Sequence, residues 1–197
     1  MSVVTRDGDE VKLNGVHVGL YHAAELERHL VARKKMADAE LAALKSSIDA
    51  TKAELDRLQK ERSSAFQKTL DTSGVFRSPT DGDRDAYLKA EASAETAGQK
   101  WNQLMRQQAA YKSSAFYLDQ LPVPVYAATT DAEGRFQMRV PGAGRFALAA
   151  HATRVAATVE QYYWVLPLKP STSAYSVMLC NTNTTSSGSA DSMLLTP

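Results

Sequence analysis

The sequence predicts an α+β chain: a small antiparallel β-sandwich carrying an inserted antiparallel coiled-coil helical hairpin. Three observations predict it. Neither proline nor glycine occurs in 22–72, where the strong helix formers Ala, Leu, Lys, Glu and Arg dominate. After residue 122, apolar residues alternate with other residues between short turn clusters, the period of half-buried strands. A strand-like stretch at 11–21 stands ahead of the helical region, and its backbone groups need partners that only the later strands supply.

The helical region is read from its seam. Leu41, Leu44, Ile48, Leu55 and Leu58 recur at heptad spacing, with Thr51 in the intervening position. Lys45, Lys52, Glu54, Asp56, Arg57, Lys60 and Glu61 occupy the other faces, so the seam is narrow and the outside solvated. Ser73, Gly74, Ser78, Pro79, Thr80, Asp81 and Gly82 then form a breaker. Asp81 or Asp83 is placed to cap a second helix, expected over 83–119 and ended by Pro122. Its seam is Ala94, Ala97, Trp101, Leu104, Gln108, Tyr111, Ala115 and Leu118. Gly98 weakens this helix, with close helix approach as its compensating use. Two long helices joined by a short connection fold back on each other. At the α-helical rise a helix of roughly 45 residues would be about 65–70 Å long, too long for a compact domain, so the hairpin is expected to project.

In the strand region Val123, Val125, Ala127 and Thr129 alternate, then Phe136, Met138 and Val140, then Phe146, Leu148 and Ala150. Tyr162, Trp164, Leu166 and Leu168 share a face of another strand, and Tyr175, Val177 and Leu179 make the last. Gly134 closes a turn that favours positive φ. The expected organisation is a first sandwich strand in 1–21, the hairpin over 22–120 with its turn at 72–83, the rest of the sandwich over 121–180, and a flexible polar tail over 181–197.

Composition narrows the function. Of 197 residues, 23 are basic and 22 acidic, a net charge of +1, which argues against a nucleic-acid binder working by bulk charge. The single cysteine, Cys180, excludes an internal disulfide and a cysteine zinc site; the simplest role for it is a small apolar residue. No apolar run approaches the roughly 18 residues of a membrane span, and the polar opening residues do not form a signal peptide. Membrane anchoring would therefore need a segment outside this chain.

No catalytic, cofactor-binding or metal-ligating set is assigned. GxSxG, Walker and GxGxxG motifs are absent. His22 and His29, expected on one helix face, lack ligand spacing, as do His17 and His151. Asp7, Asp9 and Glu10 do not complete a calcium loop. Asp131, near Glu133, reads as a turn former rather than half of an acidic pair. Arg33, Lys34 and Lys35 read as a solvated helix face in preference to a lipid contact. Asn183-Thr184-Thr185 fits a glycosylation acceptor. The candidate interaction residues are Phe76 and Arg77 at the hairpin tip, and Tyr162, Tyr163 and Trp164. Of the three aromatics, Tyr162 and Trp164 point one way and Tyr163 the other. Core packing is the default for one side, and carbohydrate or peptide binding is the alternative function.

The run from Thr130 to Ala150, TDAEGRFQMRVPGAGRFALAA, resembles the carboxypeptidase regulatory-like, or prealbumin-like, β-sandwich. That family is marked by a T-D-x-x-G-x-F turn, an alternating strand, a P-x-G-type turn and an aromatic-led strand ending in small residues. Gly15-Val16-His17-Val18-Gly19-Leu20-Tyr21 is similar to its opening G-x-x-V-x-L strand. The resemblance leaves the helical insertion outside it. It implies a non-enzymatic module without cofactor, of a kind common in exported bacterial proteins and used for adhesion, spacing or folding support. It also implies an extracytoplasmic or cell-envelope location. The heptads and the missing catalytic set point instead to an unidentified protein partner, and the outer helix faces leave self-association open.

Overall fold

A computed structural model describes residues 1–4, 10–70, 80–155, 158–169 and 176–185. Strand β1 (Ser2–Val4) pairs antiparallel with β2 (Glu10–Lys12). Strand β3 (His17–His22) leads directly into helix α1 (Ala23–Lys68). Helix α2 (Asp81–Tyr111) and the short α3 (Ser114–Leu118) follow, then strands β4 (Tyr126–Thr129), β5 (Phe146–Val155) and β6 (Val159–Pro167). A 3₁₀ turn spans Asn181–Asn183. The chain is mixed α and β, and it divides into two compact units, 1–36 with 112–197, and 37–111.

In the first unit a four-stranded antiparallel sheet runs in the order β4-β3-β5-β6. β3 therefore lies between two strands that follow the helices in sequence, and the pairing inferred from its lone position in the sequence holds for 17–22. The earlier part of the predicted strand behaves differently: 10–12 joins β1 in a separate ribbon. Val18 and Leu20 on β3, Phe146, Leu148, Ala150 and Ala152 on β5, and Trp164 on β6 share one core face. Val3, Leu13 and Leu179 are buried with them, and Phe136, Met138, Val140 and Val177 pack at the margin. The other sheet face is also apolar near its centre, where Tyr21, Ala147 and Ala149 are buried. The Tyr21 ring packs against Gly19, where an added Cβ would come within 2.6 Å of it.

Two predicted strands lack ladders. Phe136, Met138 and Val140 alternate between partial burial and exposed neighbours as expected, yet 135–141 forms no regular strand. The same holds for 176–180, where Val177 and Leu179 turn inward. Tyr175 lies outside the described residues.

The turn after β4 follows the sequence reading. Asp131 Oδ1 accepts from the backbone N–H of Glu133 (2.9 Å) and of Arg135 (2.8 Å), and Gly134 takes φ 69°. Thr130 adds a tie to the N-terminal segment. Its buried hydroxyl donates to the Leu13 carbonyl at 2.7 Å and accepts from the Val16 N–H at 2.9 Å.

In the second unit, two long helices pack against each other. Phe66 meets Tyr87, and Leu58 clusters with Ala94 and Ala97, so the helices run in opposite directions. Within this unit, α1 turns Ala37, Leu41, Leu44, Ile48, Thr51, Leu55 and Leu58 inward, all wholly or partly buried. The facing row on α2 is Tyr87, Ala90, Ala94, Ala97, Trp101, Leu104 and Gln108. The cap of α2 falls one residue before the predicted pair. The Asp83 N–H donates to Thr80 Oγ1 at 3.2 Å, while the Thr80 N–H donates to Asp83 Oδ2 at 3.3 Å, a reciprocal box with Asp83 in the third helical position. Thr80→Ala is expected to lower the stability of the helical unit by about 1 kcal/mol, read from equilibrium denaturation at 222 nm.

Gly98 departs from the sequence reading. A Cβ built there meets nothing within 4 Å, so close helix approach does not require the glycine. Gly98→Ala should raise stability by about 0.5–1 kcal/mol, since alanine restricts the unfolded chain and meets no obstacle in the folded one. A lowered denaturation midpoint would show that the helices need that space.

The second helix also ends sooner than predicted. At Ser113 the backbone is extended (φ −82°, ψ 147°), and its side chain accepts from the Phe116 N–H to start α3. Serine competes with the backbone for hydrogen bonds, and here it divides one predicted helix into α2 and α3.

Candidate functional site

Residues on α1 hold α3 in place within the first unit. Arg33 donates from Nε (2.8 Å) and one terminal nitrogen (2.6 Å) to the Phe116 carbonyl, near the end of α3. Its guanidinium stacks over the Phe116 ring at 4.1 Å and reaches Asp119 at 3.3 Å. His29 Nε2 contacts the Tyr117 carbonyl at 3.1 Å, and one turn on the same helix separates the two contacts. Arg33 is thus a largely covered capping group, not the solvated surface charge expected of the basic run. Carbonyls at a helix end carry the negative pole of the backbone dipoles, which a cation satisfies well.

With α3 held, a cavity of about 350 Å³ opens between its N-terminal end and strand β6. Ser113, Ser114 and Ala115 form one wall; Gln161, Tyr162 and Tyr163 form another; Thr184 and Thr185 complete it. The walls are tied together. The buried Ser114 hydroxyl donates to the Thr185 carbonyl (3.3 Å), and the Thr185 N–H donates to the Tyr163 carbonyl (2.7 Å). The Val165 N–H in turn donates to Thr185 Oγ1 (3.0 Å). Tyr163 is braced on both sides: its ring stacks on His151 at 4.6 Å and 10°, and its hydroxyl donates to Gln161 Oε1 at 2.9 Å. Desolvation pushes the Tyr163 phenol up and the His151 imidazole down from their ordinary values.

The predicted aromatic candidates divide between the two faces of β6. Trp164 is fully buried, donates from Nε1 to the Cys180 carbonyl at 3.0 Å, and stacks against Tyr162 at 6.0 Å. The Tyr162 hydroxyl donates to Glu160, which also receives Arg154. Tyr163 faces the other way. Phe76 and Arg77 lie outside the described residues. Around the connection that contains them stand Phe66 and Leu88, 37% and 50% exposed, with Phe66 against Tyr87 at 5.9 Å.

Sequence reasoning missed Gln161, Ser113 and Ser114. A serine pair inside a predicted helix was the available signal, because it marks a break and a cap. Asn183, read as a glycosylation acceptor, uses its amide internally: Nδ2 donates to the Met178 carbonyl (2.7 Å) and Oδ1 accepts from the Cys180 N–H (2.8 Å). A hydrogen bond from Thr182 holds the Cys180 thiol below its usual pKa. His17 and His22 stand at the two ends of β3, His29 on α1 and His151 on β5. His22 closes β3 beside Phe146 instead of sharing a helix face with His29. Asp7 and Asp9 lie outside the described residues. Among the described residues no group of three or more His, Cys, Asp or Glu could hold a metal, and no helix is long and apolar enough to cross a membrane.

Comparison with protein-family models, with curated proteins and with solved structures gives no match.

Proposed function

We propose that this chain is a non-enzymatic structural or protein-interaction module, in which a small β-sandwich carries an antiparallel coiled-coil hairpin and the turn end of the hairpin contacts another protein. The observation that carries this reading is the exposure of Phe66 and Leu88 beside that turn. Within 37–111 the other large apolar side chains among the described residues are wholly or partly buried, whereas these two flank the connection with much of their surface in water, as anchor residues do. The heptad recurrence of buried positions from Ala37 to Leu58 supports the coiled-coil description. The ribbon β1–β2 and the extended 136–140 segment, packed over one sheet face, support the sandwich description.

The carboxypeptidase regulatory-like resemblance extends the reading to an extracytoplasmic or cell-envelope setting, with the partner a protein on the same side of the membrane. In-cell photocrosslinking from positions 66 and 88 tests it. A discrete adduct that disappears when 72–83 is replaced by a short Gly-Ser turn is the expected result. Binding to every native partner left intact by that replacement rejects the hairpin tip as the contact.

A further inference from the structure

The cavity between α3 and β6 has walls that belong to the first unit alone. Its volume of about 350 Å³ lies at the small end of the range for small-molecule sites, roughly 300–1,000 Å³. The side chains around it bring hydroxyls, the Gln161 carboxamide and the Tyr163 ring, and none of the described lining residues is charged.

That composition selects among ligands. Among the described lining residues an ion would lose its water without meeting an opposite charge. A purely apolar molecule would cover the Gln161 NH₂ group without satisfying it. A peptide strand added along β6 would need its outer backbone edge, and Thr185 already occupies that edge at Tyr163 and Val165. A neutral ligand with many hydroxyls and one apolar face meets the remaining requirements. The Gln161 carboxamide spends its oxygen on the Tyr163 hydroxyl, and its NH₂ group points to donation toward a ligand. The Tyr163 ring, held rigid by His151, offers apolar surface at little entropic cost.

We propose that this cavity binds an uncharged saccharide of one or two units, with Gln161 donating to a sugar hydroxyl and Tyr163 packing on the C–H face of the ring. The proposal is independent of the hairpin contact, and either one can fail alone.

The test is titration of the isotope-labelled full chain, followed by amide chemical shifts. The probes are glucose, galactose, N-acetylglucosamine, maltose and cellobiose, with glucuronate and a neutral extended hexapeptide as competing classes. The expected result is saturable shifts for at least one neutral sugar, centred on residues 113–115, 161–163 and 184–185. Gln161→Ala, at an exposed position, should keep the fold and weaken that sugar about tenfold, one charge-free hydrogen bond. Tyr163→Ala should weaken it at least as much, with unchanged dispersion elsewhere confirming that the sheet is intact. No saturation by any neutral sugar overturns the proposal. So does tighter binding of glucuronate or the hexapeptide at these residues, or sugar binding that both variants leave unaltered.

Discussion

Trp164→Ala should destabilise the sheet-containing unit by about 3–5 kcal/mol, the largest loss expected of any single substitution discussed for this chain. The indole is fully buried in the core that joins β3, β5 and β6 to Val3, Leu13 and Leu179. Truncation removes its apolar contacts and leaves a cavity that surrounding strands fill only partly, because each is held in register by its neighbours. It also removes the donor to the Cys180 carbonyl, which helps hold 178–183 against β6. Trp164→Phe separates the two effects. It keeps most of the apolar volume, loses the hydrogen bond, and should cost about 1–2 kcal/mol. Equilibrium urea denaturation measures both. A loss under about 1 kcal/mol for Trp164→Ala would contradict a core role.

This burial changes how a ligand test must be designed. Trp164 is among the aromatics that the sequence offers for ligand binding, yet replacing it with alanine removes a core side chain. In the folded chain the variant would lose binding through unfolding, whatever the ligand does. Tyr163 and Gln161, on the opposite face of β6, change the cavity without opening the core.

What the sequence disclosed follows from what periodicity measures. A heptad reports which side chains turn inward, and the buried rows of α1 and α2 match the residues read from spacing alone, Leu41 to Leu58 and Ala94 to Gln108. Alternation reports the same for extended chain. Phe136, Met138 and Val140 do face inward, but side-chain pattern carries no information about whether the backbone finds a ladder partner. There it does not. The short β1–β2 ribbon escaped notice for a related reason: three-residue strands are too brief to show a period, and Ser2–Val4 sits in a stretch read as polar. The cavity was illegible because its walls come from three distant places. Ser113 and Ser114, Gln161 and Tyr163, and Thr184 and Thr185 meet only after α3 has been capped by Arg33 and the chain has crossed the edge of β6. Arg33 itself was misread since a charge run on a helix ordinarily faces water, and its partner carbonyl lies 83 residues away.

Thr130→Val is expected to cost about 2–4 kcal/mol although the two side chains have nearly the same shape. The Thr130 hydroxyl is 3% exposed as a residue and serves two backbone groups across 117 and 114 positions of sequence, the Leu13 carbonyl and the Val16 N–H. Valine fills the space but satisfies neither, and each buried backbone group left without a partner costs about 1–3 kcal/mol. The backbone at Thr130 also exchanges bonds with this segment, its N–H donating to the Val16 carbonyl (3.0 Å) and its carbonyl accepting from the Gly15 N–H (3.0 Å). These bonds hold the orphaned groups in place, so the chain cannot easily turn them out to water. Thr130→Ser supplies the complementary measurement. It keeps the hydroxyl, loses a methyl, and should cost about 1 kcal/mol. The order Val worse than Ser distinguishes a hydrogen-bonded tie from ordinary packing, which would give the reverse order. Amide exchange at Val16 adds a local reading: its N–H should lose protection in Thr130→Val beyond the drop in global stability, and keep it in Thr130→Ser. A valine variant as stable as the parent would mean that the first sheet strand is held to the strands that follow the helices by its ladders alone.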